Sequence, residues 1–320
     1  MRYRTLGSTG IRVSIIGFGC WGIGGRTPGE TSYGATDDAV SRRALEAASE
    51  RGITLFDTAN VYGNGHSETL IGDVFHARRS DVVIATKAGM LPSFSGLDFS
   101  AAALRRSLEG SLRRLKTDYV DLLQLHNPPP DDIRKRAEIL ETLETFRREG
   151  KIRAFGLSTK TPDEAKSLIA TPNLACVQVN LNLLDWRALD NGLLAESESL
   201  GVGVIARTPL AFGFLSGTIA ADATFPPGDH RSRWSSAKLK LWLAAADDIM
   251  SAAADGRLTR AQTALRFCTS FASVASVIPG MLTEQEVETN AAAGDCEPFT
   301  PQELAGLKQV YVRYETDLAA

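Results

Sequence analysis

Cysteine is scarce in this chain of 320 residues. There are four, Cys20, Cys176, Cys268 and Cys296, with no CxxC pair among them. A disulfide framework or a zinc site is therefore not expected. Charge of one sign is also lacking. Lys and Arg total 35 against 38 Asp and Glu, a net charge of −3. That balance gives no footprint for nucleic acid or for an anionic membrane surface. Long hydrophobic runs are missing: Val202–Ala206 and Leu241–Ala246 fall far short of the ~20 residues a membrane span needs. No apolar segment follows Met1-Arg2-Tyr3-Arg4, so no secretory signal is read, and a reduced cytoplasm is the expected compartment. With 43% hydrophobic and 23% charged residues, the composition is that of a globular protein and excludes whole-chain disorder.

What the chain does contain is alternation. Eight short apolar runs read as strands: Ser14–Gly19, Thr54–Asp57, Val82–Thr86, Tyr119–Leu125, Ile152–Leu157, Ala175–Val179, Val202–Ala206 and Val274–Ile278. They are apolar nearly throughout, as strands buried on both faces are. Helical runs lie between them: Asp37–Arg51, Glu68–Ala77, Ala101–Leu115, Lys135–Arg148, Asp163–Ile169, Ala188–Leu200 and Leu282–Ala292. Eight βα repeats predict a (β/α)8 TIM barrel spanning residues 1–320 as one domain. Residues 1–13 predict a hairpin plugging the barrel bottom, turning at Gly7-Ser8-Thr9-Gly10. Residues 207–234 are too long for a simple connector and predict a lid. Residues 235–272 predict extra helices and 301–318 a final one.

Gly17-Phe18-Gly19-Cys20-Trp21-Gly22 matches GxGxxG after a strand. A dinucleotide fingerprint needs a helix opening on those glycines, and an acid ~20 residues later at the end of a second strand. No helix start appears before about Asp37, so the match is read as a tight strand and a flexible loop.

In such a barrel, chemistry gathers at the C-terminal ends of the strands. The second strand ends at Asp57, with Tyr62 in the following loop. The third ends at Lys87 and the fourth at His126. The set suits carbonyl reduction, in which a carbonyl taking hydride becomes an alkoxide and needs a proton. A tyrosine's ordinary pKa of about 10 is high for that work. A lysine cation beside it is expected to lower it, and Asp57 to hold that lysine charged. His126 is expected to orient the carbonyl.

Phe56-Asp57-Thr58-Ala59-Asn60-Val61-Tyr62-Gly63, with Ser67-Glu68 and Ile71-Gly72 after it, resembles the signature of the aldo-keto reductase superfamily. So do Ala85-Thr86-Lys87, Leu123-Gln124-Leu125-His126-Asn127-Pro128, Gly156-Leu157-Ser158-Thr159, Val177-Gln178-Val179-Asn180, Pro209-Leu210 through Leu215-Ser216-Gly217, and Val277-Ile278-Pro279-Gly280. The set covers the chain in order. The resemblance implies an enzyme, an NAD(P)-dependent oxidoreductase moving hydride between nicotinamide and an aldehyde, ketone or sugar carbonyl, without metal. It implies Tyr62 as proton donor, Asp57 and Lys87 as its tuners and His126 as substrate orienter. For the cofactor it implies Ser158, Thr159 and Gln178 at the carboxamide, and Pro209, Leu210, Gly213, Leu215 and Gly217 along the pyrophosphate. Gly280, Met281, Glu286 and Asn290 would then lie at the adenosine end. Trp21, Asn127 and Trp234 are read as substrate-pocket residues.

Arg207 stands where many relatives carry an aromatic residue on the nicotinamide face. Stacking, an anionic substrate and a structural salt bridge are the alternatives there. Met281–Asn290 has no Lys or Arg for a 2′-phosphate, and Glu286 and Glu288 would repel one. Glu286 can instead accept from a free ribose diol, or Arg231 or Arg233 of the lid can supply the missing charge. NADP(H) and NAD(H) are left evenly weighed. A redox-sensing regulatory subunit that binds cofactor with slow or no turnover is the alternative function. An unrelated lyase or hydrolase lacks a metal cluster, a GxSxG or paired strand-end carboxylates. The partner expected is a small molecule, its identity set by loops 22–35, 90–99, 127–134 and 207–234. Oligomeric state is not legible.

Overall fold

The structure is a computed structural model and describes residues 1–27, 32–253 and 256–319. The expected loop 22–35 therefore lies partly outside the described residues. Strands β1 (Tyr3–Thr5) and β2 (Arg12–Ser14) form the antiparallel hairpin, in register Tyr3 to Ser14. Leu6, Ile11 and Val13 are buried from it against Leu55, Val83, Leu122, Ala175 and Ile205, and close the barrel floor. Gly7 makes this fit possible. At φ +53°, a Cβ there would sit 2.6 Å from the carbonyl oxygens of both Ala175 and Gly201, so glycine is required.

The barrel strands follow as β3 (Phe18–Gly19), β4 (Leu55–Asp57), β5 (Val83–Ala88), β6 (Val120–His126), β7 (Ile152–Ser158), β8 (Cys176–Asn180), β9 (Gly203–Arg207) and β10 (Val274–Ile278). Each pairs in parallel with the next. Parallel bridges Ile16 to Val277 and Gly19 to Gly280 bring β10 back to β3 and close the ring. The first barrel strand is shorter than Ser14–Gly19. Ser14 belongs to the hairpin, where its hydroxyl accepts from Thr54 N (2.9 Å) and donates to Ile16 O (2.6 Å), turning the chain into the barrel.

Helices α1 (Asp38–Glu50), α2 (His66–Phe75), α3 (Ala101–Leu115), α4 (Pro130–Lys135), α5 (Ala137–Arg148) and α6 (Pro162–Leu168) fill the first crossovers. The run Ala188–Leu200 is two helices, α7 (Arg187–Asp190) and α8 (Leu193–Leu200). Gly192 breaks it at φ +78°. The extra segment gives α9 (Ser236–Ala253) and α10 (Arg260–Thr269), followed by α11 (Glu284–Ala292). The final run is α12 (Pro301–Tyr311) and α13 (Glu315–Ala319). Thr161 with Glu164, Thr259 with Gln262 and Thr283 with Glu286 form reciprocal caps at the starts of α6, α10 and α11. No helix among the described residues is long and apolar enough to cross a membrane. After Gly17–Gly22 the chain makes a short turn at Gly22–Gly24, and among the described residues no α-helix begins before Asp38. The glycines there cradle no helix start.

Candidate active site

The barrel brings Asp57, Lys87, Gln124, His126, Ser158, Gln178 and Arg207 to the C-terminal ends of β4 through β9. Lys87 and Asp57 are buried, and Lys87 Nζ donates to Asp57 Oδ1 and to Thr58 O (2.9 Å). Asp57 Oδ2 accepts from Gln124 Nε2 (2.8 Å) and Gln178 Nε2 (2.7 Å). Gln178 also donates to Gln124 Oε1 (3.1 Å), and Ser158 Oγ to Gln178 Oε1 (3.4 Å). A buried ion pair persists only when its remaining hydrogen-bonding capacity is filled in this way. Burial pushes the Lys87 ammonium toward losing its proton, but Asp57 and Tyr62 together outweigh it and the lysine's pKa is raised.

Tyr62 follows β4 at the start of a short turn. Gly63, at φ +60°, packs against Gly24 O so tightly that a Cβ there would collide with it. The Tyr62 ring lies with its centroid 4.9 Å from Lys87 Nζ and meets His126 edge-on at 6.2 Å. Burial drives the Tyr62 phenol above its ordinary value, and Lys87 only partly offsets it. The expected lowering is thus reversed. Removing the phenolate from water costs more than the Lys87 cation returns, and the nearby Asp57 carboxylate adds to the rise. His126 is held well below 6.5 by burial and by the Lys87 and Arg207 cations, so its imidazole is neutral. Its Nδ1 is buried without a partner. With the imidazole proton on Nε2, Nδ1 is an unpaired acceptor rather than an unpaired donor.

These groups form one end of a cavity of about 1020 Å³. Trp21, Tyr33 and Phe94 wall that end, and Arg207 ends β9 in its floor. The cavity continues past Thr208–Gly213 to Thr259, Gly280, Gln285, Glu286, Thr289 and Asn290 around α10 and α11. Trp21, Gln178, Arg207, Pro209, Leu210, Gly213, Trp234, Gly280, Glu286 and Asn290 therefore line one continuous space. Asn127 is not in its wall; its backbone N–H pairs with Ser158 O (2.7 Å). Ser158, Thr159, Leu215 and Met281 are buried behind the wall, and Gly217 packs on the Arg260 side chain. Gln124 was not singled out by the sequence reading. It sits two residues before His126 on one strand, and that spacing puts both side chains on one face.

The 207–234 segment arches over the cavity. His230 N bonds Ser32 O (2.9 Å), and Arg231 forks onto buried Asp229 while lying over Tyr33 and Phe225. Arg231 is thus paired with a carboxylate of its own segment while still lining the cavity. Glu288 turns away to Arg51 (2.7 Å) and Glu284 to Arg43 (2.9 Å), so of these carboxylates Glu286 alone lines the cavity. Among the described residues no group of three His, Cys, Asp or Glu is placed to hold a metal.

The sequence model of the Aldo/keto reductase family matches residues 15–312. The chain is 30% identical over 318 residues, 96% of each chain, to the uncharacterized oxidoreductase YqkF of Bacillus subtilis (strain 168). Its fold matches the glycerol dehydrogenase AKR11B4 of Gluconobacter oxydans with a TM-score of 0.81 at 29% identity, covering 97% of this chain and 95% of that one. It also matches an aldo/keto reductase from Klebsiella pneumoniae solved with NADP and acetate, with a TM-score of 0.72 at 26% identity, covering 97% and 96%. The chain belongs to the aldo/keto reductase family, NAD(P)H-dependent oxidoreductases acting between carbonyl and alcohol groups.

Proposed function

We propose that the chain, acting as one domain, reduces a small aldehyde, ketone or sugar carbonyl with NADPH or NADH, and that Tyr62 is the proton donor. The observation that carries this is the buried Asp57–Lys87 pair beneath Tyr62, with a neutral His126 beside it, at one end of a long cavity. At about 1020 Å³ the cavity is at the top of the range for small-molecule sites. It has room for an extended dinucleotide reaching from Gln178 and Arg207 to α11. A nicotinamide cofactor, when bound, supplies the hydride. The substrate oxygen then lies between the Tyr62 hydroxyl and His126 Nε2–H. His126 donates to it and fixes the carbonyl; Tyr62 gives up its proton as the alkoxide forms. Lys87, pinned by Asp57 and Thr58 O, offsets the phenolate that results. The family match and the NADP-bound relative support this reading.

The test is a fluorescence titration with NADPH and with NADH, read on the tryptophans at the cavity, followed by a carbonyl screen. Binding at micromolar or tighter with turnover of at least one carbonyl is the expected result. Failure of both cofactors to bind refutes the reading. Tight binding with negligible turnover across the screen favours the regulatory-subunit alternative.

A further inference from the structure

We propose that Arg207 makes this site discriminate the redox state of its cofactor, holding the reduced, uncharged nicotinamide ring and expelling the oxidised, cationic one. The inference rests on the reading above and goes beyond it. Its ground is the charge balance at the catalytic end of the cavity.

The cations Lys87, Arg187 and Arg231 are each paired with a carboxylate. Lys87 is matched by Asp57, and Arg187 forks onto Asp185 (2.8 and 2.6 Å). Arg231 forks onto Asp229 in the same way. Tyr62 and His126 are both uncharged near neutral pH, for the reasons given above. Arg207 differs from all of these. Its Nη2 donates to two carbonyl oxygens, Thr159 O (3.0 Å) and Lys160 O (3.4 Å), and its Nε is buried without a partner. Among the described residues no carboxylate forms a salt bridge with it. A guanidinium without a paired carboxylate therefore faces the cavity beside Gln178, Tyr62 and His126, with Asp57 and Asp185 acting on it only from beyond salt-bridge distance.

The ring that gives hydride must touch the carbonyl carbon held at Tyr62 and His126, which brings it within reach of this charge. In the reaction the ring's C–H bond breaks. Its hydrogen and two electrons pass to the carbonyl carbon, the C=O π pair moves to oxygen, and the Tyr62 proton joins that oxygen. Tyr62 is then reprotonated from water. The ring is left with a charge of +1 beside Arg207. Two like charges at the same end of a partly desolvated cavity would repel by an amount that corresponds to roughly ten- to hundredfold in affinity. The oxidised cofactor is therefore bound weakly and leaves readily, and the reduced form escapes this penalty.

The experiment measures dissociation constants for the reduced and oxidised forms of the same dinucleotide by tryptophan quenching. It uses the wild-type protein, Arg207→Met, Arg207→Gln and Arg207→Lys. The wild type is expected to bind the reduced form at least about tenfold more tightly. Arg207→Met and Arg207→Gln should each shrink that ratio about tenfold, chiefly by tightening the oxidised form. Arg207→Lys, which keeps the charge but not the planar fork, should hold the ratio within about threefold of wild type. The inference is overturned if the wild type binds both forms equally, or if both neutral variants keep the wild-type ratio. It is also overturned if Lys behaves like Met, since shape rather than charge would then be responsible. Each of these results leaves the oxidoreductase reading standing. Absence of binding by either form removes both.

Discussion

The floor and the roof of the cavity are built differently. The floor lies on strands. Asp57, Lys87, Gln124 and Gln178 are set by the parallel register of β4, β5, β6 and β8, and each is 2% exposed or less. Their polar atoms are bound to one another in a closed network. The roof is loop. Residues 207–234 are held over the mouth by ring edges, by His230 to Ser32, and by a single buried carboxylate, Asp229. A barrel can hold reacting groups to fractions of an ångström on its ladder, while the segment that admits ligands stays on weaker, replaceable contacts. Mutations should separate the two regions by what they change: rate for the floor, affinity for the roof.

The largest effect belongs to the floor. Tyr62→Phe removes the proposed proton donor and leaves the Asp57–Lys87 pair intact. The turnover number should fall by about 10² to 10⁴, with cofactor affinity changed less than about threefold. Steady-state kinetics beside a fluorescence titration check this; a variant within about tenfold of wild-type turnover excludes Tyr62 as the donor. For the wild type, the raised Tyr62 pKa keeps the phenol protonated through pH 9, so the chemical step of reduction should stay flat there. The roof comes second. Asp229→Asn leaves the Arg231 guanidinium without its counter-ion under two rings. A loss of about 1–3 kcal/mol in unfolding free energy is expected, with cofactor bound roughly tenfold more weakly. Turnover at saturation should stay within about twofold, and a large drop in it would mean that the roof also positions the reacting groups.

Much of the floor was legible because it depends on strand ends. Asp57, Lys87 and His126 close apolar runs, and that pattern alone puts them at one mouth. Three things were not legible. The direction of the Tyr62 shift depends first on how deeply the phenol is buried, which is a matter of packing, not of residue type. The pairing of Arg231 depends on Asp229 being buried two residues away rather than solvated. The break at Gly192 and the short first barrel strand depend on side-chain hydrogen bonds, Asn191 to Leu193 N and Ser14 to Thr54 N, that periodicity does not register.

A third prediction uses pH to probe the floor. His126 has its pKa depressed by burial and by two cations. Below pH 6.5 the unfolded chain takes up a proton that the folded chain refuses. Stability should therefore decline as pH falls from 6.5 toward the depressed value, by up to about 1.4 kcal/mol per pH unit from this group. His230, also depressed by burial, adds to the slope in the same direction. His126→Gln should flatten the dependence part of the way, with no change above pH 7. Urea unfolding at pH 7.5 and 5.5 reads it directly; an unaltered slope in His126→Gln would show that the imidazole does take up a proton in the fold.

The smallest effect separates two carboxylates that sequence alone treats alike. Glu286 lines the far end of the cavity, and its Oε2 accepts from Leu282 N (2.6 Å) and Thr283 N (3.1 Å) at the start of α11. Glu288, two residues on, is turned to Arg51 just past the end of α1 and is more than half exposed. If the adenosine ribose lies at this end, a 2′-phosphate meets the charge of Glu286 and not that of Glu288. Glu286→Gln keeps a capping side chain, since glutamine serves in the same box, and removes the charge. It should tighten NADPH relative to NADH by several-fold, about 1 kcal/mol. Glu288→Gln removes only an exposed ion pair worth about 0–1 kcal/mol of stability and should leave the NADPH to NADH ratio unchanged. Equal shifts from both variants would mean that the phosphate responds to the general field of α11 rather than to one carboxylate. No shift from Glu286→Gln would mean that the ribose binds elsewhere along the cavity.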